Sequence, residues 1–145
     1  MADVEPHAKK KFLVPTSFSR KSEMALDFAL AHALQDPAEV YLFYVLEDST
    51  TNYRRLDKLN EEYMERMKTQ MMQAIQRLQS RGFMPVVEDV HRRISHGKAG
   101  KEILAMANGI APDMIVMGAP SSNSFKKLIT KAPCTLVLVK EKGQL

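Results

Sequence analysis

An α/β fold, built as one doubly wound parallel sheet of five strands with helices on both faces, is what the order of hydrophobic patterns in this chain predicts. Three observations lead there. Five short apolar runs alternate with four helical stretches, and crossovers of helix length join parallel strands. The second run, 40–46, is continuously apolar, as a strand covered on both faces must be. The chain's 145 residues, 45% hydrophobic and 26% charged with no Trp, suit one domain able to hold a core without metal or disulfide staples.

Each element follows from local chemistry. Phe12-Leu13-Val14, stopped by Pro15, reads as a buried first strand. Ser19 is placed to cap the helix that follows, Glu23 sits near its positive end, and Met24, Phe28, Ala31 and Leu34 recur at helical spacing until Asp36-Pro37 ends it. Val40 to Leu46 is the second strand. From Thr51 to Arg81, Tyr53, Leu56, Leu59, Tyr63, Met67, Met71, Ile75 and Leu78 recur at steps of three and four, so a long amphipathic helix is expected, stopped by Gly82. Its methionines at 64, 67, 71 and 72 read as core filler. Val86 to Ile94, interrupted by Glu88, Asp89, Arg92 and Arg93, reads as an edge strand whose charges discourage further pairing. A short helix over Gly100 to Asn108 is expected to end at Asn108-Gly109. Asp113 to Gly118 is the fourth strand, Phe125 to Lys131 the last helix, and Thr135 to Val139 the fifth strand. The ends, 1–10 and 141–145, read as flexible tails around a domain over 11–140.

Composition narrows the function classes. No apolar stretch approaches the roughly 20 residues that cross a bilayer, and the opening MADVEPHAKKK lacks the apolar core of a signal peptide, so a cytoplasmic protein is expected. The lone Cys134 agrees with a reducing compartment. A net charge of +4 comes in short clusters at Lys9 to Lys11, Arg54-Arg55, Arg92-Arg93 and Lys126-Lys127. Clusters of this length read as solvated faces or anion-facing patches, without the aromatic-basic signature of a specific nucleic-acid module or any segment for membrane insertion.

Open parallel sheets bind ligands beyond the carboxyl ends of their strands. That places the candidates at Pro15-Thr16-Ser17 and at Gly118 to Ser124. Gly118 would permit a sharp turn and close ligand approach, and the hydroxyls and N–H groups of Ser121, Ser122, Asn123 and Ser124 suit a phosphate. The same four residues also suit simple capping of the helix beginning near Phe125, and both readings stand. Around Gly97 to Glu102 a P-loop would need glycine at Ser95 and Ser or Thr at Glu102, so Gly97 and Gly100 read as shaping a strand-to-helix turn. His7, His32, His91 and His96 lack metal-site spacing, and Cys134 beside Pro133 reads as a small core residue. No catalytic group and no metal ligand is expected, so the chain reads as a binding protein and not an enzyme.

Leu13-Val14-Pro15-Thr16-Ser17-Phe18-Ser19, Phe43-Tyr44-Val45-Leu46, Asp113-Met114-Ile115-Val116-Met117-Gly118 and Ala132-Pro133-Cys134-Thr135-Leu136-Val137-Leu138-Val139 together resemble the universal stress proteins. The resemblance spans nearly the whole chain. It implies the strand order 3-2-1-4-5 of the adenine nucleotide alpha hydrolase-like folds and a homodimer in which the fifth strands, Thr135 to Val139, pair. It also implies an adenine site flanked by Pro15, Thr16 and Val45. Against the family pattern, Ser17 stands where an aspartate is usual, and of the Gly-x2-Gly-x9-Gly-Ser/Thr phosphate motif only Gly118 is kept. Ser121 replaces the second glycine, the spacer is largely absent, and Ser122-Asn123 hold the place of the final Gly-Ser. Too few backbone donors then remain to wrap a triphosphate. The expectation is a dimeric stress-response binding module without bound ATP or other cofactor, acting on an unknown protein partner. The alternative is weak binding of ATP, AMP or a small anion through Pro15, Thr16, Ser17, Val45, Gly118, Ser121, Ser122 and Asn123.

Overall fold

In the computed structural model, which describes residues 9–47 and 52–141, the strands and helices alternate as the pattern requires. In chain order they are β1 (Lys10–Pro15), α1 (Arg20–Gln35), β2 (Ala38–Leu46), α2 (Tyr53–Ser80), β3 (Val90–His96), α3 (Ala99–Ile110), β4 (Met114–Gly118), α4 (Lys126–Lys131) and β5 (Thr135–Val139). Single 3-10 turns precede β3 at Val87–Asp89 and α4 at Asn123–Phe125. All neighbouring strands are parallel, in the order β3-β2-β1-β4-β5. Of the expected tails, 1–10 and 141–145, residues 1–8 and 142–145 lie outside the described residues, while Lys10, in β1, already pairs with Ala38.

The two-residue period of a strand sends alternate side chains to opposite faces, and each face has its own core. Phe12 and Val14 of β1, Val40 and Leu42 of β2 and Val116 of β4 pack under α1 and α2 against Leu26, Leu30, Met67 and Ile75. Leu13, Phe43, Val45, Ile115 and Met117 face α3 and α4, meeting Ile103, Ala107 and Leu128. Met67 and Met71 are buried and Met72 is exposed, so the methionines of α2 divide between core and surface.

Several local expectations are corrected. The buried stripe of α1 is Ser22, Ala25, Leu26, Ala29 and Leu30, one residue round from the expected Met24, Phe28, Ala31 and Leu34, and Phe28 is exposed. The start of α1 lies close over the end of β4, with Lys21 and Ser22 against Gly118, and Leu26 and Leu30 carry the stripe into the core. Helix α3 runs through Asn108 and Gly109 to Ile110, and Ala111 takes the left-handed conformation at its end (φ 50°). Strand β3 begins at Val90, four residues later than expected, because Val87–Asp89 coil into a turn. It does lie at the sheet edge. Gly82 ends α2 with φ +87°, and the Phe83 N–H returns to the Leu78 carbonyl at 3.0 Å.

Candidate functional site

Strand order reverses between β1 and β4, and a cleft of about 1340 Å³ opens beyond their carboxyl ends. Seven of the eight residues expected there line it: Pro15, Thr16, Ser17, Val45, Gly118, Ser121 and Ser122. Asn123, the first residue of the 3-10 turn before α4, is not among its lining residues.

On the β1 side the polar groups are largely consumed by one another. The Thr16 hydroxyl donates to Gln70 Oε1 at 3.0 Å and accepts from the Phe18 N–H at 3.0 Å. The Ser17 N–H donates to Ser22 Oγ at 3.0 Å, and Ser17 Oγ lies 3.0 Å from Ser19 Oγ and 3.1 Å from Ser22 Oγ. Three hydroxyls thus knit together at the start of α1. Ser19 is also the N-cap expected from the sequence, accepting from the Ser22 N–H at 3.2 Å. Phe18 is forced into the left-handed region (φ 61°), and its ring is held under the Arg66 guanidinium, 4.2 Å from the centroid, and 5.1 Å from the Tyr44 ring. Burial, followed by the hydrogen bond its hydroxyl donates to Tyr63, pushes the Tyr44 phenol up to about 12, so it stays neutral at the cleft wall. Away from the cleft, burial likewise raises the Cys134 thiol and keeps it protonated.

The β4 side differs from expectation in two ways. Gly118 has no positive φ; glycine is required because a Cβ there would stand 2.7 Å from Lys21 Cβ and 3.3 Å from the Ser22 nitrogen. The close approach is to α1 itself. Nor do the serines cap α4: neither Ser122 nor Phe125, at the two N-cap positions, receives a side-chain cap bond, and the Ser122 and Ser124 hydroxyls meet each other. The backbone N–H groups of Ser121, Ser122, Asn123 and Ser124 have no acceptor among the described residues. Beside them Lys21 Nζ donates to the Ala119 carbonyl at 2.6 Å.

The third wall is the start of α3. Ser95 and Glu102, the two residues that forbid a P-loop, bond to each other at 2.6 Å and close the turn, with Gly97 between them at φ +139°. Glu47 Oε1 accepts from the Ala99 N–H at 2.8 Å, so a carboxylate already occupies this helix terminus. A Cβ on Gly100 would meet the Ser124 carbonyl at 2.8 Å, which fixes α3 against the 121–124 turn. Among the described residues the cleft therefore carries four lysines, Lys21, Lys98, Lys101 and Lys127, against one glutamate, Glu47. The sequence shows these lysines only separately, Lys98 and Lys101 in the segment that fails as a P-loop and Lys127 in a basic pair, because residues so far apart in the chain become neighbours only when the sheet assembles.

The universal stress protein family model matches residues 9–140. The chain belongs to this family. Among solved structures it is similar to the hypothetical protein MJ0577, at 26% identity and a TM-score of 0.67 over 93% of this chain and 98% of that one. It shares the fold of universal stress protein UspA from Lactobacillus plantarum (23% identity, TM-score 0.65, 91% and 99% covered). It also shares the fold of a universal stress protein in complex with cAMP (17% identity, TM-score 0.67, 91% and 97% covered). No curated protein matches the chain. Among the described residues no helix is long and apolar enough to cross a membrane, and no three His, Cys, Asp or Glu side chains group as metal ligands.

Proposed function

We propose that this universal stress protein is a binding module whose cleft takes a single phosphate group, on an adenine mononucleotide or an anion of similar size, and does not hold ATP in the triphosphate-wrapping manner. The observation that carries this reading is the turn at 121–124, where the N–H groups of the lining residues Ser121, Ser122 and Ser124 lack acceptors among the described residues, beside four lysines and one glutamate. Unpaired amides beside cations form a concave anion seat. The short turn from Gly118 to Asn123 supplies donors for one phosphate, and Glu47 on the Ala99 N–H denies a second phosphate the other nearby helix start. A family member of the same fold is in complex with cAMP, which carries one phosphate.

The internal saturation of Thr16 and Ser17 favours a second reading, in which no nucleotide binds and the family fold serves association alone. Calorimetric titration separates the two. Saturable AMP binding is expected, weakened about tenfold by Lys127→Ala through loss of one charge-assisted contact, with ATP and magnesium no tighter than AMP. Silence towards AMP, cAMP and inorganic phosphate leaves association alone, and magnesium-dependent ATP binding far tighter than AMP overturns the single-phosphate seat.

The proposal includes a homodimer through β5, which lies at the sheet edge. Its sequence Thr-Leu-Val-Leu-Val carries no charge, whereas the opposite edge strand, β3, carries Arg92 and Arg93.

A further inference from the structure

The start of α3 carries cations where a helix is already positive, and the chain itself supplies the anion that answers them. Lys98 is the N-cap and gives no side-chain cap bond, and Lys101 follows in the first turn, at the end where the backbone dipole and the unpaired amides favour negative charge. The cap comes instead from 52 residues earlier in the chain: Glu47, directly after β2, accepts from the Ala99 N–H on Oε1 at 2.8 Å. Strand register puts it there. Leu46 pairs with His96 at the carboxyl ends of β2 and β3, and the Gly97 N–H donates to the Leu46 carbonyl at 3.1 Å, so the residue after Leu46 meets the turn that opens α3. Glu102, the other carboxylate of that turn, is held by Ser95 at 2.6 Å and is not among the residues lining the cleft. Glu47 is thus the carboxylate that an anion entering the cleft meets.

We propose that Glu47 is a specificity-determining residue of the cleft, setting it for a nucleoside monophosphate against a diphosphate by holding, with a negative charge, the place a second phosphoryl group would take. This rests on the phosphate seat at 121–124. The α3 start adjoins that turn so closely that a Cβ on Gly100 would stand 2.8 Å from the Ser124 carbonyl oxygen, and Lys98, Lys101 and Ser124 line the same cleft. A second phosphoryl group extending from the turn towards these lysines must displace Glu47 from the Ala99 N–H and then stand beside it. Exchanging one charge-assisted bond for another is nearly neutral, and the carboxylate offsets the attraction of the lysines, so the added phosphoryl group contributes no affinity. With the carboxylate gone, the same lysines and the first-turn amides act on it unopposed.

The full-length protein, Glu47→Gln and Glu47→Ala are each titrated calorimetrically with AMP and with ADP, without magnesium. Glutamine keeps an oxygen for the Ala99 N–H and removes only the charge, whereas alanine removes both; should alanine leave α3 frayed by circular dichroism, the glutamine variant decides. About equal affinities for the two nucleotides are expected in the parent, and an ADP-to-AMP affinity ratio about tenfold higher in Glu47→Gln. The ratio is the readout because a purely structural loss at the helix start would weaken both nucleotides together. A ratio that stays at the parent value while AMP still binds overturns the role of Glu47 and leaves the phosphate seat standing. A parent that already prefers ADP by about tenfold overturns it as well. No binding of either nucleotide by any of the three proteins removes the seat itself, and the role of Glu47 with it.

Discussion

Gly118 shows how packing can add a reason for a residue that the sequence singles out for another. The sequence marks it as a turn glycine facing a ligand, yet its backbone is ordinary and the missing side chain makes room for α1. Gly118→Ala should therefore destabilise the fold by about 1–3 kcal/mol, as overpacking against backbone does, read as a lower midpoint in urea unfolding; an unchanged midpoint would show that α1 yields freely. Ser17 is a similar case. The absent aspartate is visible in the chain, but that its replacement turns away into a bond network with Ser19 and Ser22 depends on how the turn folds. The orphaned amide of Gln70 has no sequence signal at all, since a glutamine on the apolar stripe of α2 looks like any helix-surface residue until Thr16 takes half of it.

Helix ends and buried faces were legible where a side chain makes them and illegible where packing does. Ser19 caps α1 as expected, and Ser19→Ala should cost about 1 kcal/mol of stability, measured by urea unfolding with helix content followed by circular dichroism; no loss would mean that Ser22 and Ser17 satisfy the helix start alone. The buried face of the same helix lies one residue round from the expected one, because Ala25 and Ala29 are weak hydrophobic signals beside Phe28, yet they are buried with Leu26 and Leu30 while Phe28 is exposed. Asn108-Gly109 misled for the opposite reason. Both residues have strong helix-ending tendencies, and the burial of Ile103 and Ala107 carries α3 past them.

Across the whole molecule, the alternation of strand and helix foretold the architecture, since the parallel sheet is the only way such crossovers close. The cleft at the strand reversal follows from it, and seven of eight expected residues gather there. The proposed dimer belongs to this level too. Val137 packs inward on the core, whereas Leu138 is exposed on β5, so Leu138→Lys tests the edge without emptying the interior. Light scattering after size exclusion should show dimers for the parent protein and monomers for the variant; a variant that stays dimeric removes β5 from the interface.

Periodicity, breakers and caps are local properties, and the chain carries them in plain order: five strands, four helices, a family resemblance and a phosphate motif cut short. Charge convergence and donor saturation are not local. Lys21, Lys98, Lys101 and Lys127 stand more than a hundred residues apart at the extremes and meet only around the sheet's reversal, while the hydroxyls of Thr16 and Ser17, which line the cleft, already have partners on α1 and α2. A polar group is available for binding only if no neighbour has claimed it, and which neighbour does is set by packing.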